Sequence, residues 1–564
     1  MDDSLNNYIM SRSKGVIVFN VFFVIYALCN IRVLKASLEV ETQNGFVIGR
    51  QISDSLYGWS GIPFAKPPLG NLRFEVPEAP DNWTGTWDAT YDRSQCVVVE
   101  TASLPDSLIY PQGNEDCLYI NVYSSKLPTN GTLLPVMVWI YGGGFIDGNS
   151  SYTFYGPDRL VAKEVVFVSF NYRVGIFGFL STNDNVAPGN VGLKDQVFAL
   201  KWVQNNIKAF GGDPNQVTIF GGSAGAASVS YLTLSPLAKG LFSKAVTESG
   251  SALCLWALSR TARKAAFATG KELGIITNKS QDLVTRLKTV PAYNLQRAAC
   301  IVMGAIFGAD PLNGLVYAPV IEPPNDGAAV TAASYEELKR GNFNQVPLLM
   351  GYNSAEATGL INGISLLSLY LATYDIIPTR LVPASMNANA IDVLPIGVQI
   401  RNFYAGVLGT MAFPGDNFVR YFSDDEFVRP IQKTANLMSK YVEIYFYQFS
   451  YTRDPNAVGA SHAAELPYLF NINGSDAVIN SPSDEYIKEC MVEAWTSFAK
   501  TGNPTASGAC GGADWQPIGP NDRSDLRYIN INRVVTTGIN PDAKNITFWN
   551  NLFDRYAHPP FITF

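Results

Sequence analysis

Histidine is almost missing from this chain: 564 residues contain two, His462 and His558. A multi-histidine metal centre is therefore excluded, and there is neither an HExxH helix nor a CxxC pair to suggest zinc. A basic excess is missing too. Lys+Arg is 41 against Asp+Glu 48, a formal net charge of -7, which argues against a nucleic-acid partner. Charge of either sign is sparse at 16%, while hydrophobic residues reach 47%. Such a chain fills a large core, so disorder is excluded as its main character. Internal repeats, low-complexity linkers and long charge runs are also absent. One continuous domain is expected from residue 37 to 564.

The long apolar run of a membrane span is lacking as well. The run from Val16 to Cys29, behind Lys14 and interrupted only by Asn20, is shorter than the roughly 20 residues a span needs, but it suits a signal-peptide core. Residues 1–29 are read as that signal, with cleavage between 29 and 36. Secretion is expected, with no stable membrane anchor. The acceptor triplets at Asn82, Asn130, Asn149, Asn278, Asn473 and Asn545 agree with export, though each alone is a weak signal. Seven cysteines in an exported chain suggest disulfides. Spacing leaves their connectivity open, including that of Cys254, Cys300, Cys490 and Cys510.

From about residue 134 to 350, apolar strands alternate with amphipathic helices. Val136–Tyr141, Val165–Phe170 and Val217–Phe220 read as buried strands. Leu193, Val197, Leu200, Val203 and Ile207 fall at helical spacing. This alternation predicts an α/β fold, with a large mostly parallel sheet flanked by helices on both faces. Working residues then belong at the strand C-terminal ends. The stretch from about Gly359 to Phe422, broken by Pro378, Pro383, Pro395 and Pro414, reads as an inserted helical region over the pocket.

Gly221-Gly222-Ser223-Ala224-Gly225 matches Gly-x-Ser-x-Gly. A strand enters it and a helix of small residues leaves it, as a nucleophile elbow requires. A serine hydroxyl needs a base, usually an oriented histidine. His462 follows the strand-like Tyr445–Phe449 and is the candidate; His558 sits in a Pro-rich tail. The acid should lie between serine and histidine in sequence, and Glu356, just past the short strand Val346–Gly351, fits. Oxyanion donors are expected from the glycine turn Gly142-Gly143-Gly144 at the end of another strand. A dinucleotide loop would need glycine at 147, where Asp147 stands.

Taken with Gly61–Ala65, Pro67–Phe74, Glu115–Val122, Tyr141–Phe145, Asn171–Gly175 and Gly189–Gln196, these motifs make the chain resemble the type-B carboxylesterase/lipase family. These are α/β-hydrolases that include carboxylesterases, cholinesterases and juvenile hormone esterases. The resemblance spans roughly residues 37 to 557 and is closest to secreted insect esterases. It implies Ser223 as nucleophile, Glu356 as acid, His462 as base, and Gly143, Gly144 and Ala224 as oxyanion donors. It also implies Ser249 as a support to the triad, a Cys96–Cys117 disulfide, and buried ion pairs Arg73–Glu115 and Arg173–Asp195.

Two departures stand out. Gly222 occupies the position where the family usually carries Glu, or Gln in many juvenile hormone esterases; a small residue there would make room for a bulky substrate or a tight turn. No tryptophan lies between Cys96 and Cys117, so the cation–π site that cholinesterases use is not expected. The expectation is a secreted serine esterase for a small, hydrophobic, uncharged ester, needing neither cofactor nor metal. A hormone- or pheromone-specific esterase, or a non-catalytic binding or adhesion member of the family, are the alternatives.

Overall fold

A computed structural model describes residues 38–99, 111–128, 131–358, 373–411, 416–472, 479–520 and 525–564. The signal segment, Asn130 and Asn473 lie outside the described residues, as does part of the insert.

Eleven strands form the central sheet: β1 (Arg50–Ser53), β2 (Leu56–Pro63), β3 (Tyr119–Ser124), β4 (Leu134–Ile140), β5 (Val166–Phe170), β6 (Gly212–Gly222), β7 (Lys244–Glu248), β8 (Leu348–Asn353), β9 (Ile444–Phe449), β10 (Arg527–Ile531) and β11 (Thr536–Ile539). Their spatial order is β11-β10-β9-β8-β7-β6-β4-β5-β3-β2-β1. From β10 across to β5 every neighbouring pair is parallel. The pairs at the two flanks are antiparallel. The central strands are buried on both faces, which is why they read as continuous apolar runs: Val136 to Ile140 and Val166 to Phe170 are all fully buried but for a trace at Ser169.

Helix α1 (Val191–Asn206) covers one stretch of the sheet, and α2 (Ala224–Leu234) runs from the end of β6. After α1 a single tighter turn ends at Gly211, whose φ of +84 turns the chain toward the sheet. Gly212-Asp213-Pro214 already belongs to β6, whose register against β4 shifts between Gly212 and Val217. That irregularity is how a proline is tolerated beside a neighbour.

The described part of the insert is helical, as expected. Pro378 and Pro383 bound short helical turns. Pro395 does not break the chain. It lies in the first turn of α3 (Val393–Ala405), where a missing N–H costs nothing. Tyr404 on α3 donates to Asp424, and Phe403 stacks on Phe548 of α4 (Ala543–Tyr556) at 3.9 Å. The insert thus docks on the C-terminal helix and leads into a π-helical turn, Asp424–Val428.

Cys96–Cys117 is bridged, as the resemblance implied. A second bridge joins Cys490 to Cys510, leaving Cys254 and Cys300 as free thiols. Both implied ion pairs are present: Arg73–Glu115 at 2.5 Å and Arg173–Asp195 at 2.7 Å. A third buried pair, Lys194–Glu322 at 2.6 Å, was not anticipated.

Candidate active site

Ser223 stands between β6 and α2 with φ 57 and ψ -124. A non-glycine residue held there stores about 1–3 kcal/mol of strain. Its neighbours show what holds it. The Ser223 N–H donates to Glu248 O at the end of β7 (2.8 Å), and Ser223 O accepts from Ala227 in the first turn of α2 (2.9 Å). The turn also presses on β4: a Cβ on Gly221 would lie 2.5 Å from Ile140 O, and one on Gly225 only 2.0 Å from it. Those two glycines are required by close backbone approach. Gly222 is not. Its φ is not positive, and a Cβ would make ordinary contacts of 3.5 Å with Trp139 and 3.6 Å with Leu466. The tight-turn reason for Gly222 therefore falls away, and the room it leaves lies against Trp139 and Leu466.

The glycine turn after β4 abuts this elbow. A Cβ on Gly142 would sit 2.7 Å from Gly222 O and 3.0 Å from Ser223 Cβ. Gly143 and Gly144 take φ +107 and +59. Among the described residues the N–H groups of Gly143, Gly144 and Ala224 donate no hydrogen bond. They are free donors beside a serine at a helix N-terminus, the arrangement an oxyanion needs.

Glu356 follows β8 and His462 follows β9, on neighbouring strand ends. Glu356 Oε2 lies 2.6 Å from His462 Nδ1, and its Oε1 accepts the Asn353 N–H at 2.7 Å. The two loops are laced together. Ala355 N–H donates to Ala460 O (2.9 Å), His462 N–H to Glu356 O (3.2 Å), and Ala460 N–H to Ser354 Oγ (3.0 Å). Glu356 is fully buried, whereas the His462 side chain is 13% exposed. Burial alone would lower the His462 pKa, but the charge and hydrogen bond of Glu356, reinforced by the Glu465 charge, outweigh it and raise the imidazole above its ordinary value.

No hydrogen bond joins Ser223 Oγ to His462 among the described residues. Acid and base are engaged while the nucleophile link is open, a common state for a site without substrate. Ser249 lies at the end of β7 with φ 60. Its N–H donates to Gly351 O, but its buried Oγ has no partner, so it joins Glu356 and His462 by no direct hydrogen bond. His558 is remote and exposed, with Nε2 at 2.8 Å from Asn389.

Sequence reasoning missed two further features. One is a group of buried acids beneath the pair. Glu465 is pushed up to about 7, by burial first and then by the Glu356 charge. Burial, then the Glu465 charge, holds Glu248 well above the carboxylate range despite the Trp495 Nε1 donor at 2.7 Å. The other is an aromatic wall. Phe145 lies 6.3 Å from Trp256, Trp256 lies 5.7 Å from Phe427, and Phe427 lies 5.0 Å from the His462 ring. The π-helical turn delivers Phe427, and its Glu426 O accepts the Trp256 Nε1–H at 3.0 Å. No periodicity in the sequence signals either feature. Among the described residues no cluster of three His, Cys, Asp or Glu side chains could hold a metal ion, and no helix is long and apolar enough to cross a membrane.

Comparison with known proteins decides the family. The sequence profile of the carboxylesterase family matches residues 36–549. The chain belongs to the carboxylesterase family. Similar proteins include the juvenile hormone esterase of Tribolium castaneum, 34% identical over 95% of this chain and 96% of that protein. Esterase FE4 of Myzus persicae is 33% identical over 85% of this chain and 86% of its own length. Among solved structures, the juvenile hormone esterase from Manduca sexta, with OTFP covalently attached, aligns with a TM-score of 0.80 at 27% identity, over 92% of this chain and 99% of that one. The fold is thus the α/β-hydrolase fold of the carboxylesterases, and the carboxylesterase chain described here is a carboxylic-ester hydrolase.

Proposed function

We propose that this carboxylesterase is a secreted serine hydrolase with one catalytic domain from residue 37 onward, working through Ser223, His462 and Glu356. The observation that carries the reading is the convergence of a strained, partly exposed Ser223, three unengaged backbone donors and the Glu356–His462 pair on adjoining strand ends. His462 Nε2 takes the proton of Ser223 Oγ as that oxygen attacks the ester carbonyl carbon. Glu356 keeps the proton on Nδ1 and stabilises the imidazolium that forms. The N–H groups of Gly143, Gly144 and Ala224 receive the negative charge on the carbonyl oxygen. Collapse of the intermediate breaks the C–O bond, and His462 returns its proton to the departing alcohol. Water then repeats the sequence on the acyl-enzyme.

The Phe145–Trp256–Phe427 wall and the lack of a carboxylate at 222 support a hydrophobic, uncharged ester. The juvenile hormone esterases among its relatives favour a narrower reading in which the substrate is a hormone ester of that kind. Hydrolysis of short p-nitrophenyl esters by the purified protein, with and without an organophosphate, tests the chemistry. Comparison of juvenile hormone with p-nitrophenyl butyrate tests the narrower reading, which requires the larger kcat/KM for the hormone. Protein that turns over neither substrate would place the chain with binding or adhesion members.

A further inference from the structure

The acid and base loops are separated by about a hundred residues of sequence, yet one residue bonds to both, through its backbone to the acid and through its side chain to the histidine loop. Asn353, the last residue of β8, is fully buried. Its backbone N–H donates to Glu356 Oε1 at 2.7 Å. Its side-chain Nδ2 donates to Ser461 O, next to the catalytic histidine, at 2.8 Å, and also to Glu465 Oε2. Its Oδ1 has no partner. The amide orientation follows from the Ser461 carbonyl, which can only accept: turned over, Oδ1 would face it with no hydrogen between them. Only a residue with two donors on one short planar group satisfies both acceptors here.

We infer that Asn353 is a positioning residue for ester cleavage: through its backbone N–H it orients Glu356, and through Nδ2 it clamps the His462 loop at Ser461 and Glu465. This rests on the proposed Ser223–His462–Glu356 chemistry. The clamp also links the charge on Glu465 to the histidine. His462 faces Glu356, Glu465 and the ring of Phe427; Glu465 in turn faces Glu356, Glu248, Tyr447, Asn353 and His462. Apart from the Tyr447 phenol, which burial holds in its neutral form, the acids in that set are carboxyl groups, so a proton gained or lost at Glu465 changes the field on the imidazole. The hydrogen bond from Asn353 favours the ionised form of Glu465.

Two substitutions at one atom position give opposite expectations. Asn353→Asp keeps the shape but sets a carboxyl against Glu465. The two share one proton and retain at least one negative charge through neutral pH. The imidazolium is favoured, so the acid limb of the kcat/KM profile moves to higher pH. Asn353→Ala removes the donor, Glu465 stays neutral over a wider range, and the acid limb moves to lower pH.

The test uses the full chain. For each variant, kcat/KM for p-nitrophenyl butyrate is measured against pH, active sites are counted with a fluorophosphonate probe, and the thermal midpoint is recorded. Both variants should lose about 10- to 100-fold in kcat per labelled site, with KM nearly unchanged, by analogy with the loss when hydrogen-bond partners that orient metal-ligating side chains are removed. A purely structural role would lower the labelled fraction and leave both limbs where wild type has them, and that result overturns the inference. Should either variant fail to fold, Glu465→Gln retains an acceptor for Asn353 without charge. Its acid limb should move to lower pH, and an unmoved limb would likewise overturn the inference. Wild-type protein that is inert and unlabelled would instead refute the triad reading beneath it.

Discussion

The glycines of the nucleophile turn differ sharply in what they permit, and that difference is measurable. In Gly225→Ala the new methyl would lie 2.0 Å from Ile140 O and 2.9 Å from Tyr141 O. Both obstacles are backbone, so the start of α2 must move away from β4 by about 1.4 Å to bring the closest approach to ordinary contact. Overpacking of this kind costs about 1–3 kcal/mol, and sometimes more. The moving segment carries the Ala224 N–H, and a 1 Å misplacement at a reacting centre can cost about 100-fold in rate. Gly222→Ala meets nothing closer than 3.5 Å. Its stability should stay within about 0.5 kcal/mol of wild type, as for substitutions that disturb no special feature. Steady-state hydrolysis of p-nitrophenyl butyrate, with thermal unfolding of the same preparations, gives both quantities. Gly225→Ala should be the crippled variant and Gly222→Ala the near-normal one. Equal loss in the two, or the reverse order, would refute the reasoning about close backbone approach.

Glu356→Gln should lower kcat by up to about 10⁴-fold, since the amide no longer holds the imidazole in its working tautomer. The sign of the pH effect follows from the raised His462 pKa: the histidine must be neutral to act as base, so activity falls as pH drops through that pKa. Removing the Glu356 charge lowers the pKa, and the acid limb of any residual activity should move to lower pH. Cys96 and Cys117 should be found joined in a non-reducing peptide map, as should Cys490 and Cys510, with Cys254 and Cys300 free. Replacing the first pair by serine should cost about 3 kcal/mol for a loop of that length in the chain-entropy account. Mass spectrometry of protein expressed through a eukaryotic secretory pathway should find glycans on the exposed Asn82 and Asn278. Asn149 should be bare, because it is 9% exposed and its Nδ2 is donated to Gln95, and so should Asn545, which donates to Asp424.

Much of the site was legible because its parts are local. The elbow needs glycines on either side of Ser223, and the strand before it and the helix after it announce themselves by composition. Glu356 was legible only through chain order, because a carboxylate past a short strand has no signature of its own. Asn353 could not be read at all. It sits at the end of β8, two residues beyond the apolar run that marked the strand, and its value depends on a loop that reaches it only in three dimensions. The same holds for Phe427, which meets His462 because a π-helical turn re-aims it, and for Glu465, whose burial no pattern foretells. Pro395 misled for a physical reason: a proline stops a helix in its interior and not in its first turn.

The central claim is that Ser223 is the nucleophile of an ester hydrolase. It is tested most directly by treating wild type and Ser223→Ala with a fluorophosphonate probe, mapping the labelled peptide and following p-nitrophenyl butyrate hydrolysis in the same samples. The account predicts a single adduct on Ser223 with matching loss of activity, and neither label nor turnover in a normally folded Ser223→Ala. Hydrolysis that survives in Ser223→Ala, or an active wild type labelled elsewhere, would contradict it.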